Sequence, residues 1–208
     1  MNIFPSAYYE DCGKFCDDYF TEIAKATASV DRTEITRAAA LLEDVIKRNG
    51  TVFACGNGGS AAISNHLTCD CLKGIRNGTT VKPNVYSLAS TVELITAIAN
   101  DFSYDKVFSF QLESHGKGGD LLIAISSSGS SPNILEALRR ARELGMKSIA
   151  MTGFSGGEAA QLADVNLWVK ADNYGIVEDV HQSLMHILAQ YARQQHMKER
   201  SSIGTVKF

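Results

Sequence analysis

Residues 120–144 constrain this chain more than any other stretch. Asp120-Leu121-Leu122-Ile123-Ala124-Ile125 is a short apolar run of the kind that forms a fully buried strand. It leads directly into Ser126-Ser127-Ser128-Gly129-Ser130-Ser131-Pro132-Asn133. From Ile134 to Leu144, apolar residues recur at helical spacing (Ile134, Leu135, Leu138, Ala141) on an otherwise charged segment. The serines therefore occupy a strand-to-helix loop, with Pro132 where a first helical turn tolerates a missing N–H. A helix start offers unpaired backbone N–H groups and the positive end of the helix dipole, so it attracts anions. Small hydroxyls add donors without bulk. A cap needs one hydroxyl and this loop offers five. The surplus points to a bound phosphate.

A second unit of the same design precedes it. Thr51-Val52-Phe53-Ala54-Cys55 reads as a strand, followed by Gly56-Asn57-Gly58-Gly59-Ser60 and a helix over 61–73. The G-x-G-G-S spacing is not that of a dinucleotide fingerprint, and no acidic residue is suitably placed at the end of a next strand. The glycines instead let backbone N–H groups approach a small ligand, with Ser60 adding a hydroxyl.

Around these two units the chain alternates. Helices are expected over 6–26, 31–48, 92–100, from 107, and over 176–197; strands over 84–88, 148–152 and 165–169. Asp31-Arg32-Thr33-Glu34 has the form of a capping box, and Asn49-Gly50 a helix stop. This alternation predicts an α/β fold, a doubly wound parallel sheet with helices on both faces and an N-terminal helical extension. The expected division is an N-terminal helix (1–30), one domain (31–197) and a tail (198–208). Ligands in such sheets bind beyond the carboxyl ends of the strands, where both loops lie.

Composition excludes several function classes. With 208 residues, 45% hydrophobic and a net charge of −3, the chain gives no general reason to expect nucleic acid or an anionic membrane as partner. No apolar run reaches membrane-spanning length and Met1–Pro5 has no basic region followed by a signal core, so the expectation is a cytoplasmic protein. The five cysteines (12, 16, 55, 69, 71) lack a disulfide-framework spacing and read as packing residues, Cys12 and Cys16 on one helix face. The apolar first helix (Tyr9, Phe15, Tyr19, Phe20, Ile23) needs cover, from its own domain or from a partner subunit.

A second constellation concerns metal and protons. His66, Cys69 and Asp70 share a face of the helix after the glycine loop. Glu178 and His186 lie eight apart on the last helix, along one side. If those faces meet, His66, Asp70, Glu178 and His186 could ligate one divalent ion, zinc by donor type, with iron, manganese or nickel as alternatives. Spacing alone does not decide this. A His and Asp four apart also make an ordinary solvated pair, His186 sits among core-type residues, and Cys69, Asp179 and His181 compete for the same roles.

Taken together, the motifs resemble the sugar-isomerase (SIS) domain family, and within it the phosphoheptose isomerases. They are C-G-N-G-G-S-A-A (55–62), T-A-I-A-N-D (96–101), G-D-L-L-I-A-I-S-S-S-G-S-S-P-N (119–133), A-R-E-L-G-M-K (141–147) and M-T-G (151–153) with G-G (156–157), in family order and spacing to about residue 195. The resemblance implies a SIS-type, flavodoxin-like sheet and interconversion of D-sedoheptulose 7-phosphate and D-glycero-D-manno-heptose 7-phosphate for surface polysaccharide. It implies substrate contacts at Asn57, Gly58, Gly59, Ser60, Asn100, Asp101, Ser126, Ser127, Ser128, Ser131 and Glu178. It places a metal, commonly zinc, at His66, Asp70, Glu178 and His186, with Asp70 and His186 as the base and acid of an enediolate proton transfer. It also implies a homotetramer with sites at subunit interfaces. Four positions depart from the family pattern: Asp70 replaces Glu, Glu178 replaces Gln, and Thr91 and Gly175 stand where the family has Asp. A non-enzymatic SIS protein, either a tetramer that binds the replication initiator or a sugar-phosphate sensor, is the alternative; the first kind lacks the His aligned with His186.

Overall fold

The computed structural model describes residues 3–205 and 208. Its centre is a five-stranded parallel sheet of β1 (Thr51–Gly56), β2 (Asn84–Ser87), β3 (Leu121–Ser126), β4 (Lys147–Thr152) and β5 (Val165–Trp168), in the order β2-β1-β3-β4-β5. β3 is central and buried at every residue, as its unbroken apolar run requires when both faces are covered. Leu121, Ile123 and Ile125 face one layer, and Leu122 and Ala124 the other.

Helices α1 (Cys12–Ser29), α2 (Arg32–Lys47), α3 (Gly59–Cys69) and α8 (Tyr174–Gln195) cover the first face, packing Ala26, Leu42, Ile63 and Leu184 into it. α4 (Val92–Asp101), α5 (Ser109–His115), α6 (Pro132–Glu143) and the short α7 (Ala159–Leu162) cover the second with Ile98, Leu112, Leu138 and Ala159. The chain leaves β1 towards β2 on one side and later returns to β3 on the other. The order therefore reverses between β1 and β3, and the crevice between their loops is the usual ligand position in such sheets. Gly56 pairs with Ile125, so both strands finish level and their loops open side by side.

Local departures from expectation have physical reasons. The first helix begins at Cys12, where the Asp11 carboxylate accepts from the Gly13 N–H at 2.8 Å; Tyr9 lies before it, its ring against Phe4 and Phe15. Asp31 caps α2 as predicted, but Glu34 does not reach back to it. Its carboxylate instead accepts from Arg37 and from the backbone N–H of Asn166 on β5. Cys12, Cys16 and Cys69 are exposed, whereas Cys55 and Cys71 are buried packing residues. The helix expected over 61–73 is α-helical only to Cys69, and a π-helical segment, Asp70–Ile75, continues it. No helix among the described residues is long and apolar enough to cross a membrane.

Candidate active site

The loops after β1 and β3 form one pocket of about 300 Å³, lined by Asn57, Gly58, Gly59, Ser60, Ser126, Ser127, Ser128 and Ser131, with Tyr174 and Glu178 from α8. Gly56 makes the first turn possible, because a Cβ there would overlap the backbone of Ser60. Gly129 does the same for the second: at φ 64° it passes so close to Gly156 that a side chain would meet the Gly156 carbonyl. The loop after β4 supports it from behind, with the Gly153 N–H donating to the Ser127 carbonyl at 2.9 Å and the Ala159 N–H to the Gly129 carbonyl at 2.9 Å.

Neither helix start is closed by a side chain. Gly58 has none to offer, and Ser131, at the N-cap of α6, makes no capping bond. Its Oγ lies 3.4 Å from Ser126 Oγ instead. Ser127 is 5% exposed, and its hydroxyl finds no hydrogen-bond partner among the described residues. A buried hydroxyl without a partner is costly, which favours a guest that supplies one. Two helix N-termini and unspent hydroxyls facing one small cavity are the features that suit an anion. The two loops are also clamped together: the Asn57 and Asn133 amides donate to each other, both at 2.9 Å, and the Tyr104 hydroxyl donates to Asn57 Oδ1 at 3.0 Å.

The second group lies between α3 and α8. His66 Nε2 is 3.3 Å from Asp70 Oδ1, and His186 Nε2 is 3.5 Å from Asp70 Oδ2. The imidazoles meet edge to face at 5.1 Å between centroids. Asp70 is 12% exposed at its side chain, against 48% for His66 and 37% for His186, so the carboxylate forms the floor and the imidazoles the rim. Ligand atoms of the three lie within 4.8 Å of one another. Asp70 Oδ2 is buried and accepts no hydrogen bond among the described residues. Two imidazoles around an under-satisfied carboxylate oxygen fit a divalent cation, which would take up the unused lone pairs.

The SIS domain family model matches residues 16–153. The phosphoheptose isomerase of Salmonella paratyphi B is 39% identical over 166 residues, 79% of this chain and 85% of that one. The probable phosphoheptose isomerase of Thermoplasma volcanium is 36% identical over 171 residues, 82% of this chain and 87% of its own. The chain belongs to the SIS domain family, among its phosphoheptose isomerases. That places it in the phosphosugar isomerase class of enzymes. The fold agrees: the solved phosphoheptose isomerase of Francisella tularensis superposes with a TM-score of 0.82 at 31% identity, covering 88% of this chain and 99% of that one.

Within this SIS domain the structure sorts the predicted residues. Asn57, Gly58, Gly59, Ser60, Ser126, Ser127, Ser128 and Ser131 come together in the anion pocket. His66, Asp70 and His186 come together between the helices. Glu178, expected as a fourth metal ligand, is not brought into that group. It lines the anion pocket, with its carboxylate packed where a Cβ on Gly59 would be. Asn100 and Asp101 lie exposed at the end of α4, the Asn100 amide donating to Asp101 at 2.8 Å, and neither lines the pocket.

Two of the competitors, His181 and Asp179, are otherwise engaged, and Cys69 is exposed outside the group. His181 is fully buried with Nε2 3.1 Å from the Thr152 carbonyl oxygen, and burial pulls its pKa down to about 4. Asp179 accepts from the Tyr19 hydroxyl at 2.8 Å, which joins α1 to α8. The same hydroxyl lies where a side chain at Gly175 would have to go, which accounts for that departure locally. Three residues escaped the sequence reading: Tyr174 in the pocket wall, Asn133 in the clamp, and Gln182, whose amide lies between His66 and His186. Gln182 had a signal, since it precedes His186 by the same four residues that separate His66 from Asp70.

Proposed function

We propose that the chain interconverts D-sedoheptulose 7-phosphate and D-glycero-D-manno-heptose 7-phosphate, or a closely related sugar phosphate, by proton transfer through an enediolate. The observation that carries this reading is that the same two helices mount both groups. Ser60 opens α3 in the anion pocket and His66 follows six residues on; Glu178 lines the pocket and His186 follows eight residues on. At about 1.5 Å per residue those offsets are roughly 9–12 Å. An extended seven-carbon sugar needs about 10 Å from phosphorus to C1 by ordinary bond lengths.

In this reading the serines and helix starts hold the phosphate and fix the sugar along the crevice. Asp70 takes a proton from C1 and returns one to C2, and His186 exchanges protons at the neighbouring oxygens. A divalent ion held at His66, Asp70 and His186, zinc by donor type, would supply positive charge for the developing oxyanion. The short Asp70 side chain, one methylene less than Glu, draws the reacting carbons close to the floor between the imidazoles. Exposed apolar residues on α1 and α4, including Phe20, Val92 and Leu94, support assembly into a homotetramer that would cover them.

The test is turnover of sedoheptulose 7-phosphate by protein stripped of metal and then reloaded with zinc. Aldose product appearing only after reloading is the expected result. Absence of product from the loaded protein, with tight binding of a different sugar phosphate, would replace the substrate and leave the pocket.

A further inference from the structure

We propose, on the reading of Asp70 as the base of the isomerisation, that Phe208 is its positioning residue. The Phe208 ring holds the π-helical segment Asp70–Ile75 from outside and so keeps the carboxylate between the two imidazoles. A π-helical turn is rare, occurs mostly as a single turn within an α-helix and is frequent at functional sites. Six residues in this form need support from their neighbours. On the inner side Cys71 and Ile75 are fully buried in the core. On the outer side Gly74 is also buried, and its cover is Phe208. A Cβ on Gly74 would come within 2.7 Å of Phe208 Cζ and 2.9 Å of Cε2, and its nearest neighbours would all be atoms of that ring. Glycine lets the ring lie directly on the backbone of the segment.

The ring is itself anchored. The Arg193 guanidinium lies 5.8 Å from its centroid, within cation–π range. Arg193 is buried, and its Nε donates to the Asn77 carbonyl at 2.9 Å. Just beyond, the Lys198 N–H donates to the Gly78 carbonyl at 3.2 Å, and Thr79 and Met197 form an antiparallel bridge. The Thr79 hydroxyl closes the segment by donating to the Ile75 carbonyl at 2.7 Å. Arg193 follows His186 by seven residues on α8, two helical turns along the same side. One helix therefore carries an imidazole of the site and the anchor for the segment that presents the carboxylate.

The consequence falls on Asp70. It ends α3, its N–H bonded back to the His66 carbonyl, and it begins the π-helical segment. Its relation to His66 is set within α3, whereas its 3.5 Å approach to His186 depends on how the segment lies against α8. Proton transfer between positioned groups is sensitive to such placement, and a shift of about 1 Å costs up to about 100-fold in rate. The phosphate pocket is built from the loops after β1 and β3 with Tyr174 and Glu178, and Phe208 does not line it. Loss of the ring should therefore slow the chemical step and spare substrate binding.

The experiment measures kcat and KM for sedoheptulose 7-phosphate on the zinc-loaded protein, together with amide hydrogen exchange across residues 70–79. It compares wild type, Phe208→Ala, Phe208→Leu, Gly74→Ala and the Phe208→Ala, Gly74→Ala double variant. Phe208→Ala should lower kcat by about tenfold and leave KM within about threefold. Exchange over 70–79 should quicken while β3 keeps its protection. Phe208→Leu, which keeps an apolar cover, should restore most of both. Gly74→Ala should lower kcat alone but cost little in the Phe208→Ala background, where the methyl has room. Wild-type exchange over 70–79 in Phe208→Ala would overturn the hold on the segment. Faster exchange with unchanged kcat, or a rise in KM in place of the fall in kcat, would overturn the link to Asp70. A wild-type protein that turns over no sedoheptulose 7-phosphate would overturn the substrate reading, and exchange alone would then decide whether Phe208 holds the segment.

Discussion

The anion pocket and the histidine–aspartate group sit on the same two helices but are built in opposite ways. The pocket is made by backbone. Two tight turns, two uncapped helix starts and a support from the loop after β4 define it, and its side chains are mostly small hydroxyls. The histidine–aspartate group is made by side chains alone, reaching from α3 and α8 across an open rim. Backbone sites tolerate loss of one contact because several donors share the load. A side-chain group of three or four members does not, since each supplies a distinct charge or proton.

Single substitutions should therefore separate the regions. The largest effect belongs to His186→Ala, which should lower kcat by about 10²–10⁴-fold while the fold stays intact by circular dichroism. Turnover within a few-fold of wild type would remove the proton-transfer role from α8. Replacing Ser126 and Ser128 together by Ala should be milder and act differently. KM for the sugar phosphate should rise by about 10–100-fold with kcat falling much less, the mark of binding shared by ground and transition states. If kcat fell instead and KM held, the phosphate would lie elsewhere and the two regions would be one.

The same contrast explains what could be read from the sequence. The sheet, its helices on both faces and the pocket-forming loops were legible because each is local: an apolar run, a cluster of small residues, then a helical period. The eight pocket residues from the two loops needed no knowledge of packing. The histidine–aspartate group needed it. Which face of α8 turns to α3 depends on how Val177, Val180, Leu184 and Leu188 bury against the sheet, which spacing along one helix does not fix. Glu178 was named from its spacing and from the resemblance, and the structure has it lining the anion pocket. The π-helical continuation at Asp70 has no local signal that we can identify. The early start expected for α1 failed for another reason: aromatic residues at helical spacing, Tyr9 among them, also pack as an irregular cluster when an Asp cap interrupts them.

Asn133→Ala tests whether the pocket's rigidity comes from the clamp. Asn133 is 1% exposed and exchanges both amide bonds with Asn57, so its removal takes the partner from the part-buried Asn57 Nδ2, while Asn57 Oδ1 keeps the Tyr104 hydroxyl. Stability should fall by about 1–3 kcal/mol in urea unfolding, with weaker phosphate binding alongside. A loss of stability without any change in binding would show that the loops keep their geometry unaided.

The smallest expected effect lies where the two regions meet. Burial raises the Glu178 pKa, and the neighbouring Asp179 charge adds to the rise. The folded chain thus holds this proton to higher pH than the unfolded chain does. Stability then declines as pH climbs from the unfolded carboxyl value through the raised folded one. Below that window both states are protonated and the residue contributes nothing; above it both are ionised and the full cost remains. Glu178→Gln should accordingly raise Tm by about 1–3 °C near pH 7.5 and leave it unchanged near pH 3.5. An equal gain at both pH values would trace the effect to packing against Gly59. A gain confined to the higher pH would show a desolvated carboxylate held at the pocket's edge.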